Sequence, residues 1–102
     1  MRTRDGEWFS ALAIDDTFVV NIGDLMMRWA NDRWRSRPHR VAVPPADARE
    51  RSRRLSIGFF VVPNDDTQVE CVDQPGVAPK YPHVSVRDYR SNRFAAGAGL
   101  TD

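Results

Sequence analysis

The 102-residue chain has few of the groups that mark several common classes of protein. Its single cysteine, Cys71, excludes an internal disulfide and any site that needs two thiolates, and a reducing compartment is the default for such a chain. No run approaches about 18 apolar residues and the first residues are charged, so we expect neither a membrane span nor a signal peptide. The formal net charge is only +1, which gives no global field for nucleic acid or a membrane surface. We therefore expect a cytoplasmic protein.

The remaining composition fits one small globular domain over residues 1–102, with 41% hydrophobic and 28% charged residues. Short apolar runs that alternate or are rich in β-branched residues, bounded by turn residues, indicate strands. The predicted strands are residues 8–14, 17–23, 34–43, 53–63 and 67–72. Two helices are also predicted. They are residues 24–29, capped by Asp24 and ended by Asn31 and Asp32, and residues 85–96, ended by Gly97.

This order of elements predicts a mainly β domain of the α+β type, with barrel or sheet strands in residues 1–72 and a terminal helix in residues 83–97. Four or five strands do not close an eight-stranded barrel. The chain therefore forms either an open sheet, whose edges invite pairing, or one piece of a larger structure.

Arg54 and Ser56 are the first candidates for a binding site. Side chains two residues apart on a strand lie on one face, about 7 Å apart, so a guanidinium and a hydroxyl can hold one carboxylate between them. Arginine suits this role because its planar fork meets both carboxylate oxygens and keeps its charge when desolvated. By spacing alone, a solvated Arg54 beside a loop is an equally good interpretation.

His39 is the second candidate. It shares one face of its predicted strand with Val41 and Val43. A lone histidine on an apolar face is more often a hydrogen-bonded core residue than a metal ligand. However, His39 and Arg54 lie on consecutive predicted strands joined by a polar loop, so both can project into one cavity.

Four motifs add a family resemblance, and they occur in family order along the chain. The motifs are DGEW at residues 5–8, DTFVVNIGDL at residues 16–25, RSRPHRV at residues 35–41 and RLSIGFF at residues 54–60. Together they resemble the isopenicillin N synthase-like Fe(II)/2-oxoglutarate-dependent oxygenases over residues 4–64, and residues 81–89 resemble the family's C-terminal turn and helix. The resemblance implies the C-terminal half of that domain, a partial double-stranded β-helix of jelly-roll or cupin-like type.

The resemblance also implies an activity and its site residues. His39 matches the distal histidine that binds Fe(II), and Arg54 with Ser56 matches the pair that binds the distal carboxylate of 2-oxoglutarate. Asn21 could approach the co-substrate, although a buried structural asparagine fits its position equally well. The implied function is a non-haem dioxygenase that couples decarboxylation of 2-oxoglutarate to oxidation or hydroxylation of a small molecule by O2.

Two departures from the family pattern limit this expectation. The loop between His39 and Arg54 is long, so Arg53 competes for the role of Arg54, and alternation with Ser56 favours Arg54. The His-x-Asp pair that supplies the other two iron ligands is absent, because the second histidine, His83, precedes Val84 and Ser85. We therefore expect a fragment that is inactive alone. The Arg-x-Ser pair also binds another carboxylate in some relatives, so 2-oxoglutarate is not guaranteed.

Two alternatives come from other classes of protein. The arginines between residues 28 and 54, with Trp29 and Trp34 as stacking rings, suggest a small basic nucleic-acid-binding domain, whose affinity would fall steeply with salt. The balanced net charge disfavours it, and we expect no nucleic-acid partner. A non-catalytic β-domain that pairs through its edge with a partner or with itself is the other alternative. It would form a cooperatively folded dimer, whereas a fragment would be aggregated or molten.

Overall fold

The computed structural model describes residues 1–97. Its regular elements in this range are few and short. They are helix α1 (Asp24–Trp29), strand β1 (Gln68–Val69), strand β2 (Val84–Ser85) and helix α2 (Val86–Gly97), with two single-turn 3-10 helices at Ala46–Ala48 and Glu50–Ser52. β1 and β2 pair antiparallel. Within these residues no helix is long and apolar enough to cross a membrane.

Helix α1 begins one residue earlier than its predicted cap implies. Gly23 is the N-cap, with φ −76° and ψ 164°, and Asp24 is the first helical residue. The Asp24 carboxylate accepts the N–H of Leu25 at 2.9 Å, in the first turn where a negative charge suits the helix dipole. Asn31 and Asp32 follow the helix with φ of 50° and 65°, a left-handed conformation that these residue types tolerate. The predicted helix and its end are confirmed, and the predicted N-cap is wrong.

Helix α2 is capped by a reciprocal pair of side-chain contacts. The Oγ of Ser85 accepts the N–H of Asp88 at 3.0 Å and donates to the Asp88 carboxylate at 2.7 Å. Val86, the first residue of the helix, is fully buried. The predicted terminal helix is confirmed, while residues 98–102 of the predicted domain lie outside the described residues.

Helix α1 and the C-terminal part of the chain are joined by a buried asparagine. Asn31 donates from Nδ2 to the carbonyl of Ala78 at 3.1 Å and accepts the N–H of Lys80 at 2.9 Å. Nearby, the amide of Gln74 donates to the carbonyl of Ala30 at 2.9 Å. We call residues 24–32 and 64–97 the helix–loop unit, because these contacts hold the proline-rich loop against the end of α1.

A second polar contact in the helix–loop unit centres on Asp32. Its carboxylate accepts from Lys80 Nζ at 2.9 Å and from the hydroxyl of Tyr81 at 2.7 Å. The hydrogen bond from Lys80, followed by that from Tyr81, lowers the pKa of Asp32, because both stabilise the charged carboxylate. The same bond raises the pKa of Tyr81, since the phenol must keep its proton to donate it.

Arg28 joins the two helices of the unit through aromatic contacts. Its guanidinium carbon lies 4.9 Å from the ring centroid of Tyr81 and 5.9 Å from that of Tyr89. Burial raises the pKa of Tyr89 to about 12, and the nearby carboxylate of Asp24 adds to this effect. An ion pair of 2.7 Å between Arg93 and Asp24 also connects α2 to α1.

The N-terminal residues form a small hairpin that the sequence pattern did not predict. Arg2 and Trp8 are paired as an isolated antiparallel bridge, and the N–H of Phe9 donates to the carbonyl of Met1 at 2.9 Å. Gly6 occupies the turn with φ 93°, a conformation that favours glycine. The Asp5-Gly6 dipeptide is a turn signal that could have indicated this hairpin.

Most of the predicted strands are not formed by the described residues. Residues 10–22, 41–43 and 53–63, which we call the unpaired segments, contain no backbone-to-backbone hydrogen bond to any described residue. Their apolar side chains are exposed, to 94% at Phe18 and 91% at Phe59. The predicted strand at residues 67–72 is present only as β1. A strand needs a backbone partner for its N–H and C=O groups, and these segments have none among residues 1–97.

The overall dimensions agree with this lack of pairing. The accessible surface is 9456 Å², whereas a compact monomer of this mass exposes roughly 5,800 Å². The radius of gyration is 17.3 Å, against about 13 Å for a compact domain of this length. Two short strands and two helices are too few elements to define the expected barrel, so the described residues leave the apolar faces of the unpaired segments uncovered.

Candidate functional site

His39 lies in a stretch without regular secondary structure and is exposed. Its Nδ1 is 3.2 Å from the carbonyl oxygen of Arg37. Because a carbonyl only accepts, a hydrogen bond at this contact requires the proton on Nδ1, and a neutral ring with its proton there carries a lone pair on Nε2. An imidazole in this state is a competent metal ligand, since metal-bound histidines commonly donate their other nitrogen to a carbonyl or carboxylate.

Arg54, Ser56 and Asn21 are also exposed. Within residues 1–97 none of them makes a hydrogen bond or an ion pair, so each keeps its polar groups available. Arg53, which immediately precedes Arg54, has φ −63° and ψ 123°, so the backbone leaves the 3-10 helix at Glu50–Ser52 in an extended conformation.

Two cavities of the described residues lie in the helix–loop unit and where it meets Pro63, and neither is lined by a predicted site residue. The first, of about 180 Å³, is lined by Asp65, Arg87, Arg90, Ser91 and Phe94. The second, of about 240 Å³, is lined by Leu25, Met26, Trp29, Pro63, Thr67, Gln68 and Val69. The expectation of one shared pocket stays a prediction, because the strands that would form its walls are unpaired among the described residues.

The residues present fit an iron ion only in part. No group of three or more His, Cys, Asp or Glu side chains that could hold a metal is found among residues 1–97. His39 can supply one nitrogen, whereas the facial triad of such oxygenases needs two histidines and a carboxylate. His83, the other histidine, lies 3.4 Å from the carboxylate of Glu70 on the exposed surface, far along the chain from His39.

The arginines of the basic stretch take part in separate local contacts. Arg28 packs on tyrosine rings, and Arg37 donates to the carbonyl of Arg2 at 3.4 Å. Arg40 lies over the ring of Trp8 at 4.2 Å. Trp29 and Trp34, the stacking rings of the nucleic-acid hypothesis, pack against each other with centroids 6.3 Å apart. The contacts at Arg37 and Arg40 were not predicted, because they link residues more than 30 positions apart.

Comparison with known proteins gives the family context. The family model of the 2OG-Fe(II) oxygenase superfamily matches residues 1–63. A 2-oxoglutarate-Fe(II) type oxidoreductase of Emericella nidulans, hxnY, is 40% identical over 95% of this chain and 27% of its own length. Gibberellin 2-beta-dioxygenase 7 of Arabidopsis thaliana is 35% identical over 84% of the chain and 23% of its own length. Validamycin A dioxygenase of Streptomyces hygroscopicus is 39% identical over 71% of the chain and 18% of its own length.

The chain thus spans about a quarter of the length of the curated relatives that it matches. No solved structure matches it. The matched range contains His39, Arg54, Ser56 and Asn21, and the family uses Fe(II) and 2-oxoglutarate in a jelly-roll domain. On the extent of this match, the chain belongs to the 2OG-Fe(II) oxygenase superfamily.

Proposed function

We propose that this chain supplies one iron ligand and the co-substrate anchor of an isopenicillin N synthase-like, Fe(II)/2-oxoglutarate-dependent dioxygenase. In this proposal the chain is the C-terminal half of the catalytic domain. The whole enzyme oxidises or hydroxylates a small molecule with O2 and decarboxylates 2-oxoglutarate at the same time. The observation that carries the proposal is the family match over residues 1–63, within which the four sequence motifs occur in family order.

His39 is proposed as the iron ligand, through Nε2. Its exposure and the contact of Nδ1 with the Arg37 carbonyl support this role, because the donor atom is free and the opposite nitrogen is held. Bound iron would supply activation of O2, and the protein groups would orient the reactants around it. The remaining ligands, a histidine and a carboxylate, are proposed to come from another part of the enzyme, because this sequence has no His-x-Asp pair.

Arg54 and Ser56 are proposed to bind the distal carboxylate of 2-oxoglutarate. The guanidinium of Arg54 has no ion-pair partner among the described residues, so its fork is available for a bidentate contact. Asn21 is proposed to face the same co-substrate. Arg53 remains the competing residue for the role of Arg54, and the two can be separated only by experiment.

The unpaired segments support the view that this chain is part of a larger barrel. The chain as a whole exposes roughly 3,600 Å² more surface than a compact monomer of this mass, and the excess exceeds what a standard protein interface buries. Pairing of these segments with the strands of a complementary half would cover their apolar faces and their free backbone groups. The same excess is compatible with a second function, self-association through the strand edges.

The test is to complete the domain. This chain is fused to the part of the Emericella nidulans relative that precedes the matched region, since the relative is 40% identical to it. Binding of Fe(II), and then of 2-oxoglutarate, is measured by anaerobic calorimetry, which needs no prime substrate. We expect His39→Ala to abolish iron binding while the fusion stays folded. Normal iron binding by that variant would refute the role of His39.

The co-substrate anchor is tested in the same fusion. Arg54→Ala is expected to weaken 2-oxoglutarate binding roughly 30- to 100-fold, because a charged hydrogen-bonded partner is lost. Arg53→Ala is the matched control and should leave binding nearly unchanged. The reverse result would move the anchor to Arg53. A cooperatively folded dimer formed by the isolated chain, seen by sedimentation, would favour the self-association function instead.

A further inference from the structure

We propose that the N-terminal hairpin is a clamp that positions the imidazole of His39. Trp8 and the backbone of Arg2 hold the residues on either side of His39. This holds the Nδ1–H of His39 on the Arg37 carbonyl and presents Nε2 for metal binding. Trp8 and Arg40 are therefore positioning residues, and the inference rests on the proposed role of His39 as an iron ligand.

The first half of the clamp is made by backbone groups. The N–H of Arg2 donates to the carbonyl of Pro38 at 3.0 Å. The carbonyl of Arg2 accepts from the guanidinium of Arg37 at 3.4 Å. One residue of the hairpin thus contacts both residues that precede His39, and one of these, Arg37, provides the carbonyl that accepts from the imidazole.

The second half of the clamp is made by side chains on the other flank of His39. The guanidinium carbon of Arg40 lies 4.2 Å from the centre of the Trp8 ring. At this distance the ring face attracts the cation and also covers the aliphatic part of the arginine. The residue that follows His39 is therefore held as well, so the imidazole lies between two fixed points.

The hairpin can move as one rigid unit because Arg2 and Trp8 are paired across its two strands. The N–H of Thr3 donates to the carbonyl of Glu7 at 2.7 Å, and the side chain of Arg2 donates from Nε to the carbonyl of Gly6 at 3.1 Å. Both contact points of the clamp therefore move together, which is what positioning of a ligand between them requires.

The clamp has a measurable consequence for His39. The position of the ring proton follows from the hydrogen bond that the other nitrogen makes. While the clamp holds the Arg37 carbonyl at 3.2 Å, the neutral ring keeps its proton on Nδ1. Release of the segment removes this preference, and a lost hydrogen bond of ordinary strength corresponds to roughly a tenfold change in the tautomer ratio.

The experiment is nitrogen NMR of the full 102-residue chain labelled at histidine, at an alkaline pH where imidazoles in general are neutral. A His83→Asn variant assigns the two rings. We expect Nδ1–H at His39 in the unsubstituted chain. Trp8→Leu and Arg40→Gln should shift the His39 ratio roughly tenfold towards Nε2–H. The conservative variants Trp8→Phe and Arg40→Lys, which keep a ring and a cation, should preserve it.

A His39 ring protonated at Nε2 in the unsubstituted chain would overturn the clamp, and so would an unchanged ratio in both Trp8→Leu and Arg40→Gln. A general loss of structure would shift the His83 ring too, and in that case Arg40→Gln, which alters only an exposed side chain, decides. The iron role of His39 is tested separately: it would be refuted if the fusion that carries His39→Ala still bound iron. The tautomer is measured without metal, so the two proposals fail independently.

Discussion

The helix–loop unit and the unpaired segments differ in what holds them, although the segments have the stronger apolar pattern. In the unit, Val86 is fully buried and Asn31 is 4% exposed. In the segments, Phe59 is 91% exposed. The unit forms ordered structure because caps, turns and a few polar contacts satisfy its own backbone groups. The segments stay unpaired because an apolar strand gains stability only from a partner that pairs with its edge and covers its face.

The comparison predicts effects of very different size when an apolar residue is replaced by serine in the two regions. Val86→Ser removes two buried methyl groups and buries a hydroxyl, so we expect the free energy of unfolding to fall by roughly 2–4 kcal/mol. A small unit has only a few kcal/mol to lose, so the circular dichroism signal of α2 should disappear at 25 °C. Phe59→Ser should change the free energy of unfolding by less than about 0.5 kcal/mol, because the Phe59 side chain is already exposed.

Hydrogen exchange gives the same contrast without a substitution. Amides of α2 should be protected, and those of the unpaired segments should exchange at rates close to those of an open chain. Protection of the segments at high protein concentration alone would indicate self-association. Equal protection of both regions at every concentration would contradict the comparison itself.

The two regions also differ in how much of them local sequence could predict. Helix α1 and helix α2 were predicted because the turn residues that end them lie next to them in the sequence, although the predicted N-cap of α1 was wrong by one residue. The missed contacts are distant in sequence, such as Asp32 with Tyr81, which are 49 residues apart. The strands were predicted from the apolar pattern, which does not show which segment a strand pairs with. The number of strands indicated only an open sheet or one piece of a larger structure. A cavity shared by His39 and Arg54 depends on the same pairing, so it stays a prediction.

A sharper test concerns Asn31, which connects α1 to the proline-rich loop. Asn31→Ala leaves the Ala78 carbonyl and the Lys80 N–H without partners and places alanine at φ 50°. We expect the free energy of unfolding to fall by roughly 2–4 kcal/mol, because buried polar groups lose their partners and alanine is strained in the left-handed conformation. Asn31→Gly is the control, because it removes the hydrogen bonds but tolerates the backbone. In urea unfolding, we expect the free energy of unfolding of Asn31→Gly to be about 1 kcal/mol higher than that of Asn31→Ala. Equal values would show that the lost stability comes from the side-chain hydrogen bonds alone.

The smallest expected effect is on the acid stability of the helix–loop unit. The pKa of Asp32 lies below its ordinary value of 3.8 because Lys80 and Tyr81 donate to its charged form. A lowered folded-state pKa means that the stabilisation is complete above the unfolded-state pKa and is lost as the pH falls through the folded-state value.

Asp32→Asn should therefore lower the melting temperature at neutral pH and flatten its fall in acid, so that the two curves converge below the folded-state pKa. Asp66→Asn, at an exposed residue of the same unit with no described partner, is the control and should follow the unsubstituted curve. Coincident curves for Asp32→Asn and the unsubstituted chain at every pH would show that the Asp32 contacts do not stabilise the unit. The end of α1 would then depend on the hydrogen bonds of Asn31 and Gln74.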